Sequence, residues 1–79
     1  MRVQVKLYAS LRKFRPELDH GEAFELELEE GTTWQALIVT LGIPETEAKQ
    51  CFVNGIVQRS DRALEDGDEI GLFPPIAGG

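Results

Sequence analysis

The sequence has few of the residues from which self-sufficient catalytic sites are built. Its 79 residues include one cysteine, Cys51, and one histidine, His20, which excludes an internal disulfide and a Cys/His metal cluster. There is no Gly-rich phosphate loop and no Ser/His/Asp set. No apolar run approaches the length of a membrane span, and no signal-like apolar segment stands at the N-terminus. We therefore expect a soluble, cytoplasmic carrier, adaptor or subunit that binds no metal.

Basic residues are also scarce. Eight Lys and Arg residues stand against 14 Asp and Glu residues, and the formal net charge is −6. Nucleic acids and anionic membranes attract clusters of Lys and Arg, so neither is expected as a partner. The acidic surface suits a more basic protein partner, and it suits plain solubility equally well. A chain of this length predicts one domain, residues 1–79, with a modest core.

The hydrophobic periodicity predicts short strands around one main helix. Alternation of apolar and polar side chains, or short β-prone runs, predict five strands: residues 2–8, 23–29, 51–53, 56–58 and 69–73. Asn54-Gly55 lies between the third and fourth strands and indicates a tight hairpin, because both turn residues need positive φ. In residues 9–20, Pro16 limits any helix to a turn or two.

The main helix is predicted from its caps and its apolar stripe. Thr32 and Gln35 match a capping box, with Thr32 as the N-cap. Gly42 is a natural residue for the C-terminal end of this helix. The stripe that must pack on the sheet consists of Trp34, Leu37, Ile38 and Leu41.

Three side-chain types on the strands need interpretation. The row Glu25, Glu27 and Glu29 might suggest metal or acid–base chemistry, but such rows more often keep an exposed edge strand soluble. Cys51 has no histidine nearby in the sequence, so we interpret it as a buried, inert thiol. Tyr8 falls on the otherwise polar face of the first strand. The last strand, if Ile70 and Leu72 pack under the helix, turns Phe73 to the open face.

The final stretch, residues 73–79, reads Phe-Pro-Pro-Ile-Ala-Gly-Gly. Two prolines remove two backbone donors, so the strand must stop at Phe73, and the tail beyond should leave the body as a stiff, extended, polyproline-like arm. Gly78 and Gly79 have no side chain and could pass through a narrow slot. This geometry suits a partner enzyme that encloses the Gly79 carboxylate and modifies it. The alternative is an ordinary frayed terminus.

The order strand, strand, helix, hairpin, strand resembles the ubiquitin-like β-grasp fold. This is an α+β architecture, with a mixed sheet carrying one main helix on one face. The resemblance implies that the first and last strands are parallel neighbours at the sheet centre. Tyr8 and Phe73 would then lie close together on the face that the helix leaves open, as a partner-binding patch.

Three segments, residues 5–12, 53–55 and 66–79, resemble the MoaD/ThiS family of sulfur carriers, and within it the small subunits of molybdopterin synthase. The resemblance implies activation of the Gly79 carboxylate as an acyl adenylate by a MoeB-like E1 enzyme that uses ATP and Mg²⁺. A thiocarboxylate then forms on Gly79. The tail enters a MoaE-like large subunit, which supplies the catalytic residues, and sulfur passes to a pyranopterin precursor of the molybdenum or tungsten cofactor.

The same resemblance assigns roles to residues and partners. Gly79 is the reacting residue, this chain binds no cofactor itself, and two small and two large subunits form a heterotetramer. A carrier for thiamine thiazole synthesis, a ubiquitin-like modifier joined to lysines, and a pure binding module remain as alternatives. The residues expected to contact the partner are Tyr8, Phe73, Pro74, Pro75, Ile76, Ala77 and Gly78.

Overall fold

Two parallel strands form the centre of a mixed five-stranded sheet. The computed structural model describes residues 1–19, 21–59 and 61–75, and in it β1 (Arg2–Leu7) pairs in parallel with β5 (Glu69–Phe73). Antiparallel partners flank this pair: β2 (Phe24–Glu27) beside β1, and β3 (Gln50–Val53) beside β5. β4 (Ile56–Gln58) completes the order β2-β1-β5-β3-β4. The predicted β-grasp architecture is confirmed.

One face of the sheet packs against α1 (Trp34–Leu41). The predicted stripe of this helix is buried and joins the inward residues of the two central strands in one core. Leu64, in the loop before β5, closes the same core at 4% exposure. The strand residues of this core are Val3, Val5, Leu7, Cys51, Val53, Ile70 and Leu72.

The N-terminal cap of α1 differs from the prediction. Thr33, not Thr32, is the N-cap, and its hydroxyl oxygen accepts a hydrogen bond from the Ala36 N–H at 3.2 Å. Thr32 instead donates its hydroxyl to the Glu29 carbonyl at 2.7 Å, inside the preceding turn. The predicted capping box was wrong because Thr32 is already used by this turn. Gly42 ends the helix with φ 77°, as predicted.

The hairpin prediction is confirmed, and the turn is more firmly held than the sequence indicates. Asn54 and Gly55 have φ values of 53° and 85° between β3 and β4. The Asn54 side chain also donates to the Asp68 carboxylate at 3.0 Å and accepts from the Glu69 N–H at 2.9 Å. Because Glu69 is the first residue of β5, the turn is tied directly to the central strand.

The outer parts of the fold show smaller differences from the predicted boundaries. β1 ends at Leu7, because Ala9 takes a φ of 53° and starts the 3₁₀ helix Ala9–Phe14. β2 is shorter than predicted, but it is an edge strand with exposed Glu25 and Glu27, as expected. Both carboxylates lie within 4 Å of the Arg2 guanidinium on β1. None of the described helices is long and apolar enough to cross a membrane.

Candidate functional site

Tyr8 and Phe73 stack on the sheet face opposite α1. Their ring centroids are 4.3 Å apart and the rings are inclined by only 4°. The parallel pairing explains this contact, because β1 and β5 reach the same end of the sheet and Tyr8 follows β1 directly. Both side chains are half-buried. The predicted proximity is confirmed.

A third aromatic ring, Phe52 on β3, extends the pair. It meets Phe73 edge-on, with centroids 5.2 Å apart and an angle of 71°. The sequence analysis did not identify Phe52. Its alternation with buried Cys51 and Val53 could have placed it on the open face, although not beside Phe73. We call Tyr8, Phe52 and Phe73 the aromatic cluster.

The aromatic cluster lines a shallow groove of about 320 Å³ on the open face. Gly71 on β5 contributes to the floor, and the side chains of Lys6 and Glu69 add one charge of each sign. An apolar concavity with a few charged neighbours is typical of a partner contact. Beyond the groove, the register sets Val57 opposite Phe52, and Val57 is 53% exposed on the β4 edge.

Gly71 explains why the rings can lie so close to the strand. A Cβ atom built on Gly71 would lie 3.1 Å from Cε2 of Tyr8 and 3.5 Å from Cε1 of Phe73. The Tyr8 ring thus covers the place where a β5 side chain would stand. This contact was not visible from the sequence, where Gly71 is one more residue in an alternating strand.

The C-terminal segment begins at this site, where β5 ends. The Lys49 N–H donates to the Phe73 carbonyl at 3.0 Å, and the Tyr8 N–H donates to the Leu72 carbonyl at 3.1 Å. The strand ends at Phe73, as predicted from the two prolines that follow and have no N–H. Pro74 is half-buried and Pro75 exposed. The predicted site residues Ile76, Ala77, Gly78 and Gly79 lie outside the described residues.

Cys51 lies on the opposite, core-facing side and takes no part in this site. It is fully buried, and burial, with a smaller contribution from the Asp68 carboxylate, raises the pKa of its thiol from 9.0 to about 12. The thiol is therefore neutral at physiological pH, which agrees with the predicted inert role. No group of three or more His, Cys, Asp or Glu residues in the described ranges is placed to hold a metal ion.

The described surface is thus suited to docking. It presents an apolar groove beside the end of β5. Gly79, the reacting residue predicted from the sequence, follows later in the chain. Among protein families, the model of the ThiS family matches residues 5–79. No curated protein sequence matches the chain significantly.

Several solved structures share the fold. A Pyrococcus furiosus protein, provisionally described as molybdopterin converting factor, subunit 1, is 28% identical with a TM-score of 0.70, over 95% of this chain and 98% of that one. Small archaeal modifier protein 1 from Haloferax volcanii is 18% identical with a TM-score of 0.70, over the same shares. A chain of the complex of subunits 1 and 2 of the Helicobacter pylori molybdopterin-converting factor is 23% identical with a TM-score of 0.59, over the whole of both chains.

Proposed function

The chain belongs to the ThiS family, and on that premise we propose that it is a sulfur carrier that serves as the small subunit of a molybdopterin synthase. The observation that carries the proposal is the extent of the family match. It runs through Gly79 and so includes the whole of the C-terminal segment. The pterin destination is supported by the Pyrococcus furiosus protein, whose description names a molybdopterin converting factor.

The proposed chemistry takes place at the Gly79 carboxylate. An E1-like enzyme joins this carboxylate to the AMP part of ATP and releases pyrophosphate, with Mg²⁺ balancing the phosphate charge. A hydrosulfide-level sulfur nucleophile then attacks the acyl carbon, and AMP leaves with the bonding electrons. The product is a thiocarboxylate. Its sulfur attacks an electrophilic carbon of the pterin precursor and displaces an oxygen leaving group from that carbon, which gives a thioester. Water then cleaves the bond between the acyl carbon and the sulfur, so that Gly79 is released as a carboxylate and the sulfur stays on the pterin.

The chain's own residues would supply recognition and reach. The aromatic cluster gives a partner a semi-exposed apolar surface, and such surfaces supply much of the binding energy at interfaces. Pro74 and Pro75 end β5 beside this surface, so a partner that covers the groove also receives the segment that leads to Gly79. The partner would supply the catalytic groups for the reaction at Gly79.

A second subunit is part of the proposal. The Helicobacter pylori structure pairs subunit 1 with subunit 2 of its converting factor, and a chain of that complex shares the fold described here. We propose a MoaE-like large subunit as the sulfur-delivering partner, in a heterotetramer, and a MoeB-like E1 as the activating partner. Both need the Gly79 carboxyl group, so the two partners bind this chain in turn.

Intact-mass measurement tests the proposal. The full chain is incubated with its E1-like enzyme, ATP, Mg²⁺ and a sulfur source, beside a variant that lacks Gly79. We expect a mass gain of one oxygen-to-sulfur exchange, located on Gly79 by fragmentation and absent from the control. The Cys51→Ala variant should show the same mass gain, because the proposed exchange on Gly79 does not involve the thiol. A persulfide on Cys51 would instead add the mass of a whole sulfur atom without loss of oxygen, and this variant could not form it.

The other outcomes identify the alternatives. An unchanged mass, with the E1-like enzyme active on another carrier, would exclude the sulfur role. Isopeptide-linked ladders on a denaturing gel would favour a ubiquitin-like modifier. If the thiocarboxylate forms, adding the large subunit and the pterin precursor should consume it. Consumption only by a thiazole synthase would assign the chain to thiamine synthesis instead.

A further inference from the structure

Gly71 is unlike the other glycines that the structure describes. It lies in the middle of a central strand, where glycine is destabilising because it loses more backbone entropy on folding and has no side chain to pack. Its backbone does not need the left-handed conformation, and yet a Cβ there would press on a side chain. The other five described glycines have a positive φ and open space around the Cβ position: Gly21, Gly31, Gly42, Gly55 and Gly67.

Glycine at position 71 is therefore explained by the close approach of the Tyr8 ring and not by a backbone conformation that requires glycine. The closest atom to a Gly71 Cβ would be Cε2 of Tyr8 at 3.1 Å, which is tighter than an ordinary carbon–carbon contact. The Tyr8 ring rests over the β5 backbone and meets Phe73 face to face from there. With a larger residue at position 71, the ring would have to lift away from the strand.

The ring stack bears on the end of β5. The Phe73 carbonyl accepts a hydrogen bond from the Lys49 N–H. On the open face, the Phe73 ring contacts the rings of Tyr8 and Phe52. Phe73 is also the last residue before Pro74, so its orientation sets the direction in which the chain leaves the sheet. Lifting Tyr8 would remove one of the two rings and also fill the floor of the groove.

From these contacts we propose that Gly71 is a positioning residue for partner docking. By lacking a side chain it keeps Tyr8 flat on β5 and stacked on Phe73, and this arrangement forms the surface that the activating enzyme recognises. The inference rests on the proposed sulfur-carrier function. It adds a residue that has no side chain with which to contact the partner.

Substitutions of graded size should have graded effects. A Gly71→Ala Cβ needs a shift of a few tenths of an ångström, which the half-buried Tyr8 ring can make. The additional methyl groups in Gly71→Val require the ring to leave the stack. Stacked aromatic pairs contribute enough to predict a rise in KM on the order of 3- to 10-fold for Gly71→Val, with kcat of adenylation nearly unchanged. Valine favours strands, so the variant should fold.

A double-mutant cycle tests whether Gly71 acts through Tyr8. Pyrophosphate release by the E1-like enzyme is measured with the wild type, Gly71→Val, Tyr8→Ala and the double variant. We expect valine to raise KM in the wild-type background and to have little further effect when Tyr8 is already removed. An equal rise in both backgrounds, or a Gly71→Val KM equal to that of the wild type, would overturn the inference.

A second measurement needs no partner. In the wild type, the Phe73 ring current should shift the Tyr8 ring protons upfield in the NMR spectrum, and Gly71→Val should abolish this shift. A Gly71→Val chain that keeps the shift would contradict the proposed action on the stack. A wild type that is never thiocarboxylated would instead refute the proposed function, while this spectrum still decides the effect of Gly71 on the ring. The two failures are thus distinguishable.

Discussion

The buried Cys51 thiol predicts a specific loss of stability at high pH. Burial and the neighbouring Asp68 carboxylate raise its pKa from 9.0 to about 12 in the folded chain. In the unfolded chain the thiol is in water and ionises near 9.0. Between these two pKa values the unfolded state binds fewer protons than the native state, so the free energy of unfolding falls as pH rises. Below pH 9 the full contribution is present.

The size of the effect follows from the gap between the two pKa values. Each pH unit above the unfolded pKa lowers the free energy of unfolding by about 1.4 kcal/mol until the folded pKa is reached. At about pH 10.5 the loss is therefore roughly 2 kcal/mol, a large part of the 5–15 kcal/mol typical of a whole domain. The contribution of the thiol must be isolated by comparison with a chain that lacks it.

Cys51→Ala provides that comparison, because it removes the thiol and leaves every other titrating group in place. Urea unfolding followed by the fluorescence of buried Trp34 gives the free energy of unfolding at about pH 8 and about pH 10.5. We expect the wild type to lose about 2 kcal/mol more than the variant over this interval. Equal losses in the two proteins would refute the reasoning, since the native thiol would then ionise as readily as the unfolded one.

Two further predictions concern the turns that hold the sheet and helix. Thr33→Ala should lower the free energy of unfolding by about 1 kcal/mol in urea titrations, and a larger cost for Thr32→Ala would contradict the observed cap. Asn54→Ala should cost about 2–3 kcal/mol, because it loses the bonds to Asp68 and Glu69 and also strains a left-handed residue. Asn54→Gly, measured alongside, should cost about half as much because it removes only the bonds.

The sequence predicted best where one short stretch contains the whole signal. The alternation in β1 and β5 correctly assigned Ile70 and Leu72 to the core and Phe73 to the open face, because side chains in a strand alternate regardless of their neighbours. The hairpin was equally local, since Asn54-Gly55 supplies both positive φ values within two residues.

Features that depend on register or on competition between neighbours could not be predicted in this way. Two adjacent threonines both fit an N-cap, and a hydrogen bond to the Glu29 carbonyl decided between them. The contact of Phe52 with Phe73 depends on the β3–β5 register, and the role of Gly71 depends on Tyr8, which is distant in the chain. Even the parallel pairing of β1 with β5 was predicted from the resemblance to the β-grasp fold and not from periodicity.

The central position of β5 also has a consequence during protein synthesis. Of the strands in the described residues, β5 is synthesised after the other four, yet it lies between β1 and β3 and joins the two halves of the sheet. A growing chain can form the β1–β2 and β3–β4 pairs, but these pairs have no common neighbour until β5 has left the ribosome. Tyr8 gains its stacking partner only at that point. Under the proposed function, incomplete chains would therefore lack the surface that the activating enzyme recognises.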